Sequence, residues 1–413
     1  MRYFDLYLGL TDEDRDLKAA AHEFAAEVMR PLSVEFDKMS PEELIAPGSP
    51  YWDFMKRGYR LGYHVLPFPE HVGGPGLSPF QISLVMEELA WGSFGLTLAL
   101  NTSLDAAVAM DGGQKLIDEF TIPYCDCTDG SVVGCWAITE PDHGSDTLMA
   151  GHPSFRDPSI GAACQARLEG DEYVINGQKA AWTSGGTVAK SILLMCHVEG
   201  RPGHAGSGMF VFSLDRPGVS KGKPLDKIGM RELNQGEIYF DNVRVSKEYL
   251  VHGPDTYEAE LAAHLAMTTP MVGTWSVGLA RAAFEEALTY CRERRQGGKL
   301  LVEHPNVQQK LFDMFRKVEA ARQLCRTAFV HNWSNPPANR KPEYGFAAKT
   351  FAAKTSFEVA SDAVQLFGSN GLSREYLIEK LFRDSRATMI CDGSDDSLAI
   401  AGGHFVAQTY PRA

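Results

Sequence analysis

No run of about 18 consecutive apolar residues occurs in this 413-residue chain, so no segment reads as a membrane span. A signal-peptide pattern is also missing. The first residues, MRYFDLYLGLTDEDRDLKAAAHEF, turn acidic within five positions, and the expected location is cytoplasmic. Basic residues are in deficit: 40 Lys and Arg against 53 Asp and Glu leave a net charge of −13. That balance argues against nucleic acid or an anionic membrane as a partner. The eight cysteines are scattered, and Cys125-Asp126-Cys127 has no second pair at metal-ligand spacing. Buried reduced thiols are expected, and disulfides are not. None of the twelve histidines falls in an HExxH or comparable pattern, so no metal site is expected. The one candidate glycine cluster for a dinucleotide loop, Gly203-His204-Ala205-Gly206-Ser207-Gly208, leads into the strand-like MFVF and not into a helix. Internal repeats and low-complexity tracts are absent.

What is present is the composition of an ordinary globular protein, 44% hydrophobic and 23% charged, with length for two or three cores. Helical periodicity covers residues 11–45 and 50–64, with Thr11 as a cap, and resumes over 79–91 and 97–110. Short β-type runs broken by glycine follow: 132–138, 164–168, 173–175, 191–198, 209–213 and 237–245. Strands at such intervals predict a small barrel or sandwich. Residues 151–163 read as a surface loop. Long helical stretches over 258–295, 306–333, 346–367 and 375–389 then predict a four-helix bundle. The expected fold is α+β: a helical domain over 1–130, a β domain over 131–249 and a helical bundle over 250–413.

Two separated motifs carry the functional reading. Residues 135–146 are CWAITEPDHGSD, and the stretch from Gln365-Leu366-Phe367-Gly368-Ser369-Asn370-Gly371 through Arg383-Asp384 reaches Asp392-Gly393-Ser394. In order and spacing the chain resembles the acyl-CoA dehydrogenase family. Smaller pieces agree: Pro69–Gly74, Met86–Ala90, Lys179–Gly186 and Arg292–Lys299, the last with Gly297 where phenylalanine is usual.

The resemblance implies FAD as cofactor, with an acyl-CoA substrate, an electron-transfer flavoprotein as electron acceptor, and a homo-oligomer, tetramers being common. By resemblance, Thr139 and Thr183 meet the flavin pyrimidine edge and N5. Trp136, Ile138, Gly144, Ser145 and Trp182 complete the cofactor wall, Ser394 suits a ribityl contact, and Asp396 faces the cofactor edge or solvent. Arg294 would reach the pyrophosphate of a neighbouring subunit's FAD, where a guanidinium fork suits diphosphate. Gln365, Gly368 and Ser369 would lie near its adenosine part. One departure concerns the wall: the usual stacking tryptophan is replaced by Ala181, and Trp182 follows one step later, where the side-chain direction reverses along a strand.

Oxidation between the α and β carbons of a thioester needs a base for the α proton and an acceptor for the β hydride. The family's catalytic glutamate is matched here by Asp392, about 1.5 Å shorter in reach. Gly393 allows close approach. Some members carry the base on an earlier helix, which falls here near Thr268, a residue unable to serve as base but placed to meet substrate, as Ser145 is. Asp105 stands where a glycine is often found, on a helix that lines the acyl pocket by resemblance. An isolated aspartate on such a helix ordinarily faces solvent. The sharper alternative has it reach the acyl chain and act with Asp392 in a 1,4-elimination on an alicyclic acyl-CoA. Rival readings within the superfamily are a flavin oxidase or monooxygenase, or an enzyme acting on carrier-protein thioesters.

Overall fold

The computed structural model describes residue 6 and residues 9–410. Helices α1 (Asp12–Phe24), α2 (Arg30–Phe36), α3 (Pro41–Ile45), α4 (Pro50–Arg60), α5 (Pro79–Gly92), α6 (Phe94–Leu100), α7 (Leu104–Val108), α8 (Gln114–Leu116) and α9 (Ile122–Cys125) build the first third. Their starts follow from local chemistry. The Thr11 hydroxyl accepts the Asp14 N–H at 3.1 Å, and the Asp14 carboxylate accepts the Thr11 N–H at 2.9 Å. Proline fills the first turn of α3, α4 and α5, where a missing N–H leaves no bond unmade.

The middle third holds β1 (Gly134–Ala137), β2 (Gln165–Glu169), β3 (Glu172–Lys179), β4 (Ser191–Val198), β5 (Ser207–Ser213), β6 (Val219–Lys221), β7 (Ile238–Ser246) and β8 (Leu250–His252). They join in the order β6-β7-β3-β2-β4-β5-β8, with β1 pairing parallel to β4 off that path. The sheet closes over a core of its own, from Cys135 and Ala137 through Ile192, Leu194 and Cys196 to Phe210, Phe212, Ile238 and Phe240. The alternate residues of β4 and β5, Leu193, Met195, Met209 and Val211, enter a second core with Tyr257, Leu261, Leu265 and Leu398. β4 is thus buried on both faces, which is why it reads SILLMCHV with no polar alternation. Residues 151–163 are less superficial than expected, since Phe155 is fully buried in this second core.

The last third contains α10 (Tyr257–Glu293), the hairpin β9 (Arg295–Gln296) and β10 (Lys299–Leu300), α11 (Pro305–Trp333), α12 (Pro342–Phe367), α13 (Leu377–Thr388) and α14 (Asp395–Thr409). The sequence predicts four of these long helices, and α14 is an addition. It packs on α12 and on the 3-10 turn Ser145–Leu148. Among the described residues no helix is long and apolar enough to cross a membrane.

Candidate active site

The loop after β1 is held from below by a buried charge pair. Lys179, at the end of β3, donates to Glu140 at 2.6 Å and to the Ile138 carbonyl at 3.0 Å, and neither side chain has any solvent exposure. The other Glu140 oxygen accepts the Ala163 N–H at 2.5 Å. Thr139 is thereby fixed, its carbonyl accepting the Ala180 N–H at 2.9 Å. Thr183 closes the same turn, its hydroxyl donating to the Ala180 carbonyl at 3.0 Å. The two threonines flank one residue although 44 positions separate them. Trp136 is half-buried, its indole N–H 2.9 Å from the Met195 sulfur. Trp182 is 60% exposed on the turn beyond β3, directed away from the packed interior.

From the opposite side comes the turn between α13 and α14. Asp392 has φ +51°, the left-handed region that aspartate tolerates better than most residues, and Gly393 follows at φ +98°. Lys349 of α12, fully buried, pins this turn by donating to the Gly393 carbonyl at 2.7 Å and to Asp395 at 2.8 Å. Ser394 caps α14, its hydroxyl accepting the Ser397 N–H at 3.3 Å. The Ser394 N–H donates to the Ser145 hydroxyl at 2.8 Å, which ties the two motifs together across 249 positions. Gly144 is exposed and Asp396 faces outward at the start of α14.

Asp392 is half-buried in this chain, and its carboxyl makes no hydrogen bond among the described residues. Removal from water pushes it up to about 6, against the opposing pull of Lys349. Asp105 contradicts the ordinary expectation of a solvated face. It is 1% exposed, and its Oδ1 has no partner. Burial pushes it up to about 6 as well, the Ser191 hydroxyl pulling the other way. Its carboxyl lies over Gly134, where an added Cβ would come within 1.9 Å of Oδ1. The contacts of Asp105 are therefore with the start of β1 and β4, and none joins it to Asp392 among the described residues. Thr268 is buried in α10 with its hydroxyl unpartnered.

Arg294, Gln365, Gly368 and Ser369 are exposed together at the other end of the bundle, where Tyr290 stacks on Phe367 at 4.0 Å. Gln365 lies 16 residues along α12 from Lys349, about 24 Å by helical rise. The predicted cofactor residues thus form two sets. One surrounds the seam of Thr139, Thr183, Ser145 and Asp392, and the other occupies a distant end of the same chain.

A flavin nucleotide fits this donor set. Among the described residues the Thr139 hydroxyl makes no hydrogen bond and the Arg294 guanidinium has no side-chain partner, which leaves it for phosphate, while the Thr183 hydroxyl keeps its lone pairs. Lys349 and the Lys179–Glu140 pair were not singled out from sequence. Lys349 left a signal there: it falls on the core face of α12, in step with Gly345, Ala348, Ala352 and Ser356, where a lysine must find buried partners.

Comparisons with known proteins agree along the whole chain. Residues 11–123, 135–243 and 261–402 match, in turn, the N-terminal, middle and C-terminal domains of acyl-CoA dehydrogenase. The Bacillus subtilis protein named Probable acyl-CoA dehydrogenase YngJ is 29% identical over 94% of this chain and 96% of its own length. Cyclohex-1-ene-1-carbonyl-CoA dehydrogenase of Syntrophus aciditrophicus is 28% identical over 95% of this chain and 90% of its own. The structure of butyryl-CoA dehydrogenase from Megasphaera elsdenii superposes with a TM-score of 0.84 at 25% identity, covering 98% of this chain and all of that one.

Proposed function

Since the chain belongs to the acyl-CoA dehydrogenase family and is an oxidoreductase of that family, we propose that it oxidises an acyl thioester, acyl-CoA, between the α and β carbons. The observation that carries this reading is the Ser145–Ser394 bond, which closes the β1 loop against the turn holding Asp392. FAD, when bound, supplies the acceptor for the β hydride. Asp392 takes the α proton. A carboxyl with a pKa of about 6 is ionised at neutral pH yet more basic than an ordinary aspartate. Its backbone N–H donates to no protein acceptor among the described residues, which leaves it for the thioester oxygen as negative charge develops there. The shorter reach of aspartate is compensated on the protein side by a left-handed turn fixed from three directions, by Ser145, Lys349 and the Asp395 N–H to Met389 carbonyl bond at 3.0 Å. Thr268 and Ser145 face the substrate in this reading.

Arg294, Gln365, Gly368 and Ser369 serve a neighbouring subunit's FAD, so the active unit is at least a dimer, with a tetramer expected. The rise of about 24 Å along α12 from Lys349, which holds the Asp392 turn, to Gln365 supports that division. Electrons leave to an electron-transfer flavoprotein. For the acyl group we favour an alicyclic or otherwise unusual chain, on the strength of aspartate at the base position and the relative named for a cyclohexene thioester. A 1,4-elimination needs Asp105 as a second base. Its placement over Gly134 makes α,β-oxidation by Asp392 the better supported step.

The test is anaerobic addition of linear, branched and alicyclic acyl-CoAs to the purified holoprotein. Bleaching of the flavin band near ~450 nm by one class supports the proposal and identifies the substrate type. A yellow protein that no acyl-CoA bleaches sends the reading to carrier-protein thioesters or to an oxidase, the latter marked by rapid reoxidation in air.

A further inference from the structure

The loop that carries Ser145 closes on a second cluster, unused by the chemistry above. His143 Nδ1 and His204 Nε2 lie 2.8 and 2.9 Å from one and the same atom, Asp146 Oδ2. These three potential ligand atoms all lie within 4.8 Å of one another. The two imidazoles are nearly perpendicular, at 89°, with centres 5.0 Å apart. Imidazoles that share one zinc ion through bonds of about 2.0–2.1 Å at a tetrahedral angle hold their ring centres about 5 Å apart. The spacing is that of joint ligation.

The surroundings are organised for the same role. Asp146 Oδ1 accepts the Gly144 N–H at 2.7 Å, which orients the carboxylate so that Oδ2 meets both rings. His204 is 3% exposed and packs against the Phe155 ring on the short turn His204–Gly206, so one ligand is rigid. The Asp146 side chain is 41% exposed, which leaves a path for an ion from solvent. The sequence predicts no metal site because His143 and Asp146 form no recognised spacing and the third residue comes 58 positions after Asp146.

We propose that His143, Asp146 and His204 bind a divalent transition-metal ion of the zinc type, with water completing the coordination. Two nitrogens and one carboxylate oxygen suit such an ion and do not suit calcium or magnesium, which take oxygen ligands. Binding needs the nitrogen–oxygen separations to open by a few tenths of an ångström, to about 3.3 Å. Each histidine ligates as the neutral ring, its lone pair on the nitrogen facing Asp146 and its one proton on the other ring nitrogen, placed there by exchange with solvent. The ion would brace the loop that also carries Ser145, tying it to the turn of His204. This inference is independent of the substrate reaction.

Untagged full-length protein, stripped with chelator, is titrated with zinc chloride by calorimetry. The expected result is about one ion per chain and a zinc-dependent rise in melting temperature. His143→Ala should weaken binding at least ~100-fold, and His143→Cys, which restores a ligand, should stay within ~10-fold of the parent. His71→Ala, an exposed histidine elsewhere, is the control and should bind as the parent does. Circular dichroism establishes that each variant is folded. Absence of zinc binding by the parent overturns the proposal, as does parent-like affinity in His143→Ala. Should His143→Ala fail to fold, a parent whose melting temperature zinc leaves unchanged overturns it equally.

Discussion

Two seams of this molecule remove carboxylates from water, and they treat them in opposite ways. Between α5, α10 and α11, Glu87 and Glu88 meet Arg281 and Arg322, both guanidiniums 1% exposed. Arg281 donates to Glu87 at 2.8 Å and to Glu88 at 2.7 Å, and Arg322 donates to Glu87 at 2.9 Å. Burial alone would raise Glu87, but Arg322 and Arg281 overcome it and hold the carboxyl well below the ordinary carboxylate range. In the seam between the β domain and the bundle, Asp392 has no such partner among the described residues. Lys349, whose charge acts on it, directs its hydrogen bonds to Gly393 and Asp395. Asp392 therefore rises to about 6. The carboxylate that holds structure together is locked in its ionised form, whereas the one proposed as base is left able to take up and release a proton.

The sharpest way to break this contrast is Asp392→Asn. It should lower kcat by about a hundred- to ten-thousand-fold while the flavin spectrum and melting temperature change little, which stopped-flow bleaching and calorimetry would report. In the parent, the base is competent only when ionised, so activity should fall as pH drops through about 6 and level off above it. An acid limb near 4 would put Asp392 among ordinary solvated aspartates. Glu87→Gln should do the reverse. It leaves Arg281 and Arg322 buried with an incomplete partner and should cost about 3–5 kcal/mol of stability, read by denaturant melts, with kcat per folded enzyme unchanged. A kinetic effect as large as the stability effect would mean that the two seams are one.

Asp105→Asn sharpens the comparison at smaller scale. The folded-state pKa of Asp105 is raised from 3.8 to about 6, so the folded chain binds the extra proton between those values. Stability contributed by this site is accordingly lost as pH rises from about 4 to about 6 and stays lost above. The asparagine variant should be more stable than the parent by about 1–3 kcal/mol at pH 8, with the gain vanishing near pH 4. If it also abolishes turnover of a cyclohexene thioester while sparing a linear one, Asp105 serves as a second base after all.

Much of this architecture was legible from the chain, for identifiable reasons. The helices announce themselves through caps and period, as α1 does through Thr11, and β4 through an unbroken apolar run. What was hidden depends on distant partners. α14 starts amid Asp392-Gly393-Ser394, which reads as a turn, and carries Gly402 and Gly403, so its helical signal is weak. β6 and β8 are three residues each, too short to show a period. Asp105 reads as a surface residue because the space that admits it is created by a glycine at 134, on another element. The same holds for His143 and His204, and for the match between Ser145 and Ser394, which two motifs in register foreshadow without giving its geometry.

That last bond offers the mildest perturbation. Ser145→Ala removes the acceptor of the Ser394 N–H, one of the first donors of α14, and leaves it half-buried. The expected loss of stability is about 0.5–1.5 kcal/mol, the ordinary net contribution of one hydrogen bond. The kinetic effect should exceed that, because the bond fixes the turn on which Asp392 is carried, and misplacement of a base by a fraction of an ångström slows proton transfer. Single-turnover bleaching should slow by roughly ten-fold or more, with Ser145→Thr retaining most of the rate because it keeps the hydroxyl. A variant that melts like Glu87→Gln, with its rate preserved, would make Ser145–Ser394 a structural clasp and erase the distinction between the seams. Slowed chemistry in a protein that melts almost normally would place the bond with the proton transfer proposed for Asp392.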